Sequence, residues 1–270
     1  MLISQAVIVS SATAIVWLAL IVVLVKRRKT GKTVAVLLLL LPLLAGNLYY
    51  YRWVAPQQQQ TQRLAAAQQK LATMPVWGTV KVQQPALYRQ ASEELQRSLQ
   101  NGVAEQQAFD RLRPLAADLL NQRINAAADE DLIRYMQVSL EQMKLLRQKN
   151  PDLCFRFLFP QIRGGVNIGE VLPRSVVDKE MQAMDTLLKN SRGAERATDI
   201  QRGRSRMQSV VRKLYDRWGI DLQNLNAPAE PGVDESKLCD MTIDLYQSVL
   251  ALTDKDSASV LRIMISGTGN

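Results

Sequence analysis

Two apolar runs decide the fold of this chain: LISQAVIVSSATAIVWLALIVVLV at residues 2–25 and TVAVLLLLLPLLAGNLYYY at residues 33–51. Neither run contains a charged side chain. As helices they would reach about 36 Å and about 28 Å, and the hydrocarbon core of a bilayer is about 30 Å thick. Pro42 falls inside the second run, where a membrane helix tolerates it. The sequence therefore predicts a membrane protein with an N-terminal two-helix transmembrane hairpin.

The short loop between the two runs predicts their orientation. It holds five basic residues: Lys26, Arg27, Arg28, Lys29 and Lys32. Basic side chains near the end of a span resist translocation. In a bacterial inner membrane, the loop at 26–32 is therefore expected on the cytoplasmic side and both termini on the periplasmic side. A cleavable signal peptide is the alternative for the first run. It is disfavoured because no basic residue precedes the run and the run is too long.

Charge is distributed unevenly along the chain. Residues 1–52 contain six Lys or Arg and no Asp or Glu, and they contribute most of the net charge of +9. Residues 53–270 are close to balanced, with 28 basic and 25 acidic side chains. A nucleic-acid binder carries its excess positive charge on the soluble domain. Nucleic acid is therefore not an expected partner.

The rest of the chain is predicted to be a mainly all-α soluble domain. Apolar residues recur at spacings of three and four, and Pro or Gly interrupts them between helices. The predicted order is a juxtamembrane helix at 53–74, a helical periplasmic domain at 75–225, a linker at 226–232 and a C-terminal helix pair packed on the domain at 233–270. Two exceptions are expected: extended chain at 76–82, and a turn or short strand at 154–159.

The juxtamembrane helix carries an apolar seam formed by Leu64, Ala67, Leu71 and Met74. Its alternating spacings of three and four are typical of a coiled coil. Two heptads are too few to require one, so two interpretations remain. The seam either packs against its own domain or joins two chains in a homodimer.

Cys154 and Cys239 are the two cysteines of the chain, and both lie on the side predicted to be periplasmic. An oxidising compartment permits a disulfide between them. Two buried free thiols are the alternative. The spacing excludes a CxxC redox pair, and two distant cysteines do not make a zinc site.

Catalytic chemistry finds little support in the sequence. The chain has no His, which removes the usual general base and the commonest metal ligand. The carboxylate groups that remain are Glu93 with Glu94, Asp129 to Asp131, and Asp234 with Glu235. They fall near predicted helix starts or on polar faces, where capping and solvation explain them. We therefore expect no enzyme, no cofactor and no metal site.

One basic segment stands out in the soluble part. Residues 192–217 contain eight basic and three acidic side chains. Five of the basic residues form a candidate docking patch: Arg202, Arg204, Arg206, Arg212 and Lys213. Gly203 interrupts the helical pattern and is expected to expose the first three. The patch would bind an acidic partner or anionic lipid, and a solvated helix face is the plain alternative.

These features favour a non-enzymatic interaction or scaffold protein, anchored in the lipid bilayer and binding another envelope protein. Topology alone also fits an immunity or exclusion factor acting at the inner membrane. The remaining alternative is an envelope enzyme that works with carboxylates alone.

Overall fold

The structure is a computed structural model that describes residues 45–196 and 199–266. The chain divides into two compact units, Met1–Ala66 and Ala67–Asn270. The basic loop at 26–32 and most of the predicted hairpin lie outside the described residues. Within them, no helix combines the length and apolar character that crossing a membrane requires.

The described part of the first unit is helical. It contains a π-helical turn at Tyr50–Val54, followed by helix α1 at Ala55–Thr73, which continues past the boundary at Ala66. Large apolar side chains before α1 are exposed to solvent: Leu48, Tyr49, Tyr50, Tyr51 and Trp53. Exposed apolar side chains grouped in this way usually mark an interaction surface.

The second unit is built from helices, and the described residues contain no strand. The predicted all-α fold is confirmed for this part of the chain. Its α-helices are α2 (Trp77–Gln83), α3 (Pro85–Gln100), α4 (Glu105–Asp110), α5 (Arg113–Arg123), α6 (Asp129–Lys149), α7 (Pro151–Leu158), α8 (Pro160–Arg163), α9 (Ile168–Val171), α10 (Arg174–Asn190), α11 (Ile200–Trp218), α12 (Glu235–Leu250) and α13 (Asp254–Ser266). Short 3₁₀ helices stand at Ile124–Ala126 and Gly219–Asn226.

Local sequence signals explain several helix starts. Pro occupies the first turn of α3, α5 and α7, where its missing N–H costs nothing. The side chains of Asn150, Asp199 and Asp234 accept hydrogen bonds from backbone N–H groups at the starts of α7, α11 and α12. These are the N-cap residues that such positions favour.

Helix α6 lies at the centre of the unit. It packs against α7, α10, α12 and α13, while α11 packs on α12, α13 and the 3₁₀ helix Gly219–Asn226. Its buried side chains include Leu132, Met136, Leu140 and Leu146, together with the carboxylate of Asp131. This arrangement gives α11 an inner face toward the core and leaves its outer face exposed.

The structure corrects two predictions of non-helical chain: extended chain at 76–82, and a turn or short strand at 154–159. Both segments are mostly helical. Residues 76–82 fall mostly in α2, where Trp77 and Val80 are buried three positions apart. Residues 154–159 fall largely in α7, which buries Cys154 and Phe155. β-branched and aromatic side chains favour strands only weakly, and burial on one helix face overrides that preference.

The chain enters α2 through a strained turn. Val76 has φ of 35°, in the region that β-branched residues rarely adopt. Its side chain is buried, as is that of the following Trp77. Packing of this pair holds the turn in place, so the path from α1 to α2 is fixed by tertiary contacts.

Cys154 on α7 and Cys239 on α12 form a disulfide, with Cα atoms 6.1 Å apart. Both residues are fully buried among apolar side chains of α6, α9 and α10. The predicted disulfide is therefore confirmed over the alternative of two free thiols. The bond joins α7 to α12, which lies in the C-terminal part of the chain.

The apolar seam of α1 contributes to the core of the chain itself. Ala67 and Leu71 are buried there, and Met74 packs against it. Leu64 is half-buried. Within the second unit, Ala67, Leu71 and Met74 therefore pack on their own domain, as in the first of the two interpretations. Dimerisation of the chain stays a prediction.

Candidate docking groove

The predicted basic patch divides into two sets. Arg202 and Arg206 both bind the carboxylate of Asp256, at 2.5 Å and 3.1 Å from their Nε atoms. Asp256 lies in the first turn of α13, and its side chain is only 4% exposed. The hydrogen bond from Arg202 holds the pKa of Asp256 below its usual range. These two arginines therefore fasten α11 to α13.

Gly203 does not interrupt the helix, contrary to the expectation from sequence. It lies inside α11 and is buried. A Cβ atom at this position would stand 2.5 Å from Cδ1 of Ile263 and 3.2 Å from the backbone oxygen of Ser259. The glycine therefore permits a close approach of α11 to α13, and it does not expose the neighbouring arginines.

The other three patch residues lie on the outer face of α11. Arg204 and Arg212 each line a surface depression, and Lys213 is exposed next to Arg212. Arg212 and Lys213 form no ion pair with any residue that the structure describes. Arg217, further along the helix, is neutralised by Asp244 at 2.9 Å. Positive charge thus remains available at the middle of α11.

The larger depression is a groove of about 920 Å³. One wall is α11, and the rest comes from the 3₁₀ helix Gly219–Asn226, α12 and α13. Its lining is mainly apolar: Met207, Val211, Leu214, Tyr215, Leu222, Leu225, Leu245, Ile263 and Met264. Arg204 and three uncharged polar residues, Gln208, Gln223 and Asn226, complete it. We call this surface the α11 groove.

A second, smaller depression of about 430 Å³ adjoins the groove on the same helix. Four residues of α11 line both depressions and form the ridge between them: the apolar Met207, Val211 and Tyr215 and the polar Gln208. Val211 is 38% exposed and Tyr215 is 50% exposed. The smaller depression also includes Arg212 and Asp216. An exposed ridge with a concave surface on each side is suited to contact with another macromolecule.

Each carboxylate that the sequence offered as a catalytic candidate is ion-paired, hydrogen-bonded or exposed in the structure. Asp129 pairs with Arg262, while Asp131 accepts a hydrogen bond from Asn190. The other positions have separate roles: Glu94 pairs with Arg97, Glu235 pairs with Arg163, Asp234 caps α12 and Glu93 is exposed. No group of His, Cys, Asp and Glu among the described residues is arranged to hold a metal ion.

The sequence did not single out every buried carboxylate, and Glu180 is one example. Glu180 on α10 is buried against α6, with an oxygen 4.0 Å from a guanidinium nitrogen of Arg113. The carboxamide of Gln142 lies nearby but does not reach hydrogen-bond geometry. Burial raises the pKa of Glu180, and the two neighbours offset part of that rise. Glu180 does not line the α11 groove, and its ionisation is expected to affect the free energy of unfolding.

Glu180→Gln is expected to change how stability depends on pH. A raised folded-state pKa favours folding below the unfolded-state pKa of about 4.3, and that contribution disappears as pH rises through the folded-state pKa. The amide cannot ionise. The difference in unfolding free energy between variant and wild type should therefore move in favour of the variant from pH 4 to pH 7. Urea titrations across that range measure it.

Glu93→Gln is the matched reference, since it removes one carboxylate from an exposed helix position. The two variants carry the same net charge. Identical pH profiles for both would show that Glu180 is not destabilised by burial of its charged form.

The α11 groove thus combines apolar exposure with a concave shape, and Arg204 lines it. It is built from residues of α11 that the sequence singled out and from distant residues that it did not. Comparison with protein-family models, with curated proteins and with solved structures finds no match for this chain.

Proposed function

We propose that this chain is a non-enzymatic, membrane-anchored interaction protein of the bacterial envelope, and that it binds its protein partner through the α11 groove. The observation that carries the proposal is the exposed ridge of Met207, Val211 and Tyr215 between two depressions. Concave apolar surfaces of this kind serve recognition, and aromatic residues are the usual energetic anchors of interfaces. We propose Tyr215 as the aromatic residue that contributes most to binding of the partner.

The anchoring part of the proposal rests on the N-terminal sequence. The runs at 2–25 and 33–51 would span the inner membrane, with the basic loop at 26–32 in the cytoplasm. The exposed Tyr49, Tyr51 and Trp53 are the side chains expected at a membrane–water interface. The disulfide is consistent with an oxidising compartment, and so with a periplasmic helical unit.

A paired substitution in the ridge tests the docking function. Val211→Asp with Tyr215→Ala is expected to reduce recovery of the partner at least tenfold, because losing a central aromatic anchor costs about 2 kcal/mol or more. Both side chains are exposed, so the fold should be unaffected. The measurement is affinity purification of the full chain from detergent-solubilised envelopes, with quantitative mass spectrometry of co-purifying proteins.

Val82→Asp is the control, because Val82 is 75% exposed on α2 and does not line the groove. It should leave recovery unchanged. The proposal fails if no envelope protein depends on the ridge, that is, if the wild type, the ridge variant and the control recover the same proteins in the same amounts.

A further inference from the structure

We infer that residues 48–53 lie in the headgroup layer of the bilayer, where Arg52 binds the phosphate of an anionic phospholipid. This inference rests on the anchoring part of the proposed function, and it adds the ligand and the site that binds it. It follows from the way exposed aromatic side chains surround their helix and from the charges near them.

The exposed side chains at 48–53 lie on every side of their helix. Five of these six residues are large and apolar or aromatic, and their exposed fractions run from 45% for Tyr50 to 71% for Tyr51. The backbone is α-helical up to Tyr49 and π-helical from Tyr50. Consecutive residues of a helix point about 100° apart, so the four residues from Leu48 to Tyr51 already encircle the axis. We call residues 48–53 the aromatic girdle.

A lipid layer covers such a girdle better than a protein does. A protein that binds a helix usually contacts one face and leaves the opposite face in water. A bilayer surrounds a helix that crosses it, and Tyr and Trp are enriched at its interfaces because each has an apolar ring and a polar group. The uncharged run at 33–51 ends inside the girdle. In the proposed topology the girdle therefore stands where the chain leaves the hydrocarbon core.

Arg52 is the one charged residue between positions 33 and 62. It is exposed, and it forms no ion pair within the part of the chain that the structure describes. Together with Asn47, Leu48 and Tyr51 it lines a depression of about 370 Å³. Guanidinium, amide and hydroxyl groups all donate hydrogen bonds, and arginine binds phosphate oxygens through two N–H groups at once. The depression thus offers donors and one positive charge to a phosphate.

The charges of this part of the chain favour an anionic lipid over a zwitterionic one. Residues 1–92 contain ten Lys or Arg and no acidic side chain, and Glu93 is the first carboxylate in the sequence. The cationic group of a zwitterionic headgroup would find no carboxylate beside the girdle. Phosphatidylglycerol has no such group, and one basic residue near an anionic surface strengthens binding about fivefold.

Arg63 provides an internal comparison. It is exposed on α1 and, like Arg52, forms no ion pair with a described residue. It follows Arg52 by 11 positions, which is about 16 Å along a helix. The headgroup layer on one side of a bilayer is only about 5–8 Å thick. A helix that leaves the bilayer near its normal therefore carries Arg63 beyond the layer in which Arg52 lies.

The test is photo-crosslinking of the purified full chain in phosphatidylcholine bilayers. They contain either photoreactive phosphatidylglycerol or photoreactive phosphatidylcholine, with the same reactive group near the glycerol, and peptide mass spectrometry locates the adducts. At equal lipid fraction, phosphatidylglycerol should label residues 47–53 about fivefold more than phosphatidylcholine does. High salt should reduce that preference.

Three variants assign the preference to its residue. Arg52→Gln should abolish it, while Arg52→Lys should retain most of it because the positive charge remains. Arg63→Gln is the matched control, since it removes the same charge from an exposed position of the same unit, and it should leave the preference unchanged. Circular dichroism checks that each variant is folded.

The adduct map separates failure of this inference from failure of the anchoring. Equal labelling of 47–53 by both lipids, or a preference that survives in Arg52→Gln, overturns the anionic-lipid site. Adducts in the runs at 2–25 and 33–46 with none at 47–53 also overturn it, because something other than lipid would then cover the girdle. All three results leave the anchoring proposal intact. A chain without lipid adducts in either run would contradict the anchoring and this inference together.

Discussion

Replacing Cys154 and Cys239 together with alanine is expected to lower the free energy of unfolding by about 4–5 kcal/mol. The disulfide joins residues 85 positions apart, so it removes many conformations from the unfolded chain. Both sulfur atoms also lie in an apolar cluster, where truncation leaves a small void. Urea unfolding of the purified chain, followed by tryptophan fluorescence, measures the loss.

Reduction provides the matched control. A reductant should shift the unfolding midpoint of the wild type toward that of the double variant, and should leave the double variant unchanged. A wild type that unfolds at the same urea concentration with and without reductant would contradict the disulfide.

The same cysteines report on the compartment. With a thiol reagent applied to denatured protein from cells, we expect labelling of Cys154 and Cys239 only after reduction. That result agrees with a helical unit on the periplasmic side of the membrane. Labelling after denaturation alone would mean free thiols, and would contradict the bonded pair.

Gly203→Val is expected to destabilise the chain by about 2–3 kcal/mol, through overpacking between α11 and α13. The added side chain would meet Cδ1 of Ile263 and the backbone of Ser259. Helix α11 can relieve the clash only by moving away from α13, which would also strain the ion pairs of Arg202 and Arg206 with Asp256. Chemical denaturation of the variant measures the effect.

Ser205→Val is the matched control, since it places the same β-branched side chain at an exposed position of the same helix. It should cost only a few tenths of a kcal/mol. A double-mutant cycle adds a specific readout. Ile263→Val removes the Cδ1 atom, so Gly203→Ala should cost less in that background than in the wild type. Additive effects would show that the two positions do not interact.

Amphipathic spacing was sufficient to predict the long helices. Leu87, Leu95 and Leu99 repeat along α3, and Leu132, Met136 and Leu140 repeat along α6, because each helix buries one face. The two segments whose structure was predicted wrongly, 76–82 and 154–159, are short. In α2 and α7, local β-preference competed with burial that only the folded chain supplies, as at Trp77 and Phe155.

The candidate site was only partly predictable. Sequence reasoning found the basic residues of α11, since charge is visible without a fold. It could not separate Arg202 from Arg212, because the difference is a carboxylate 54 residues from Arg202. The groove itself needs Leu222, Leu245 and Ile263, which come from three other elements. No local pattern brings those residues together.

The central claim is that the α11 groove contacts another envelope protein in the cell. The most direct measurement is photo-crosslinking in growing cells, with a photoreactive amino acid in place of Tyr215 and, as the reference, in place of the exposed Val82. We predict a discrete adduct of one second protein at Tyr215 and none of that mass at Val82. The same adducts at both positions, or no protein adduct at Tyr215, would contradict the account.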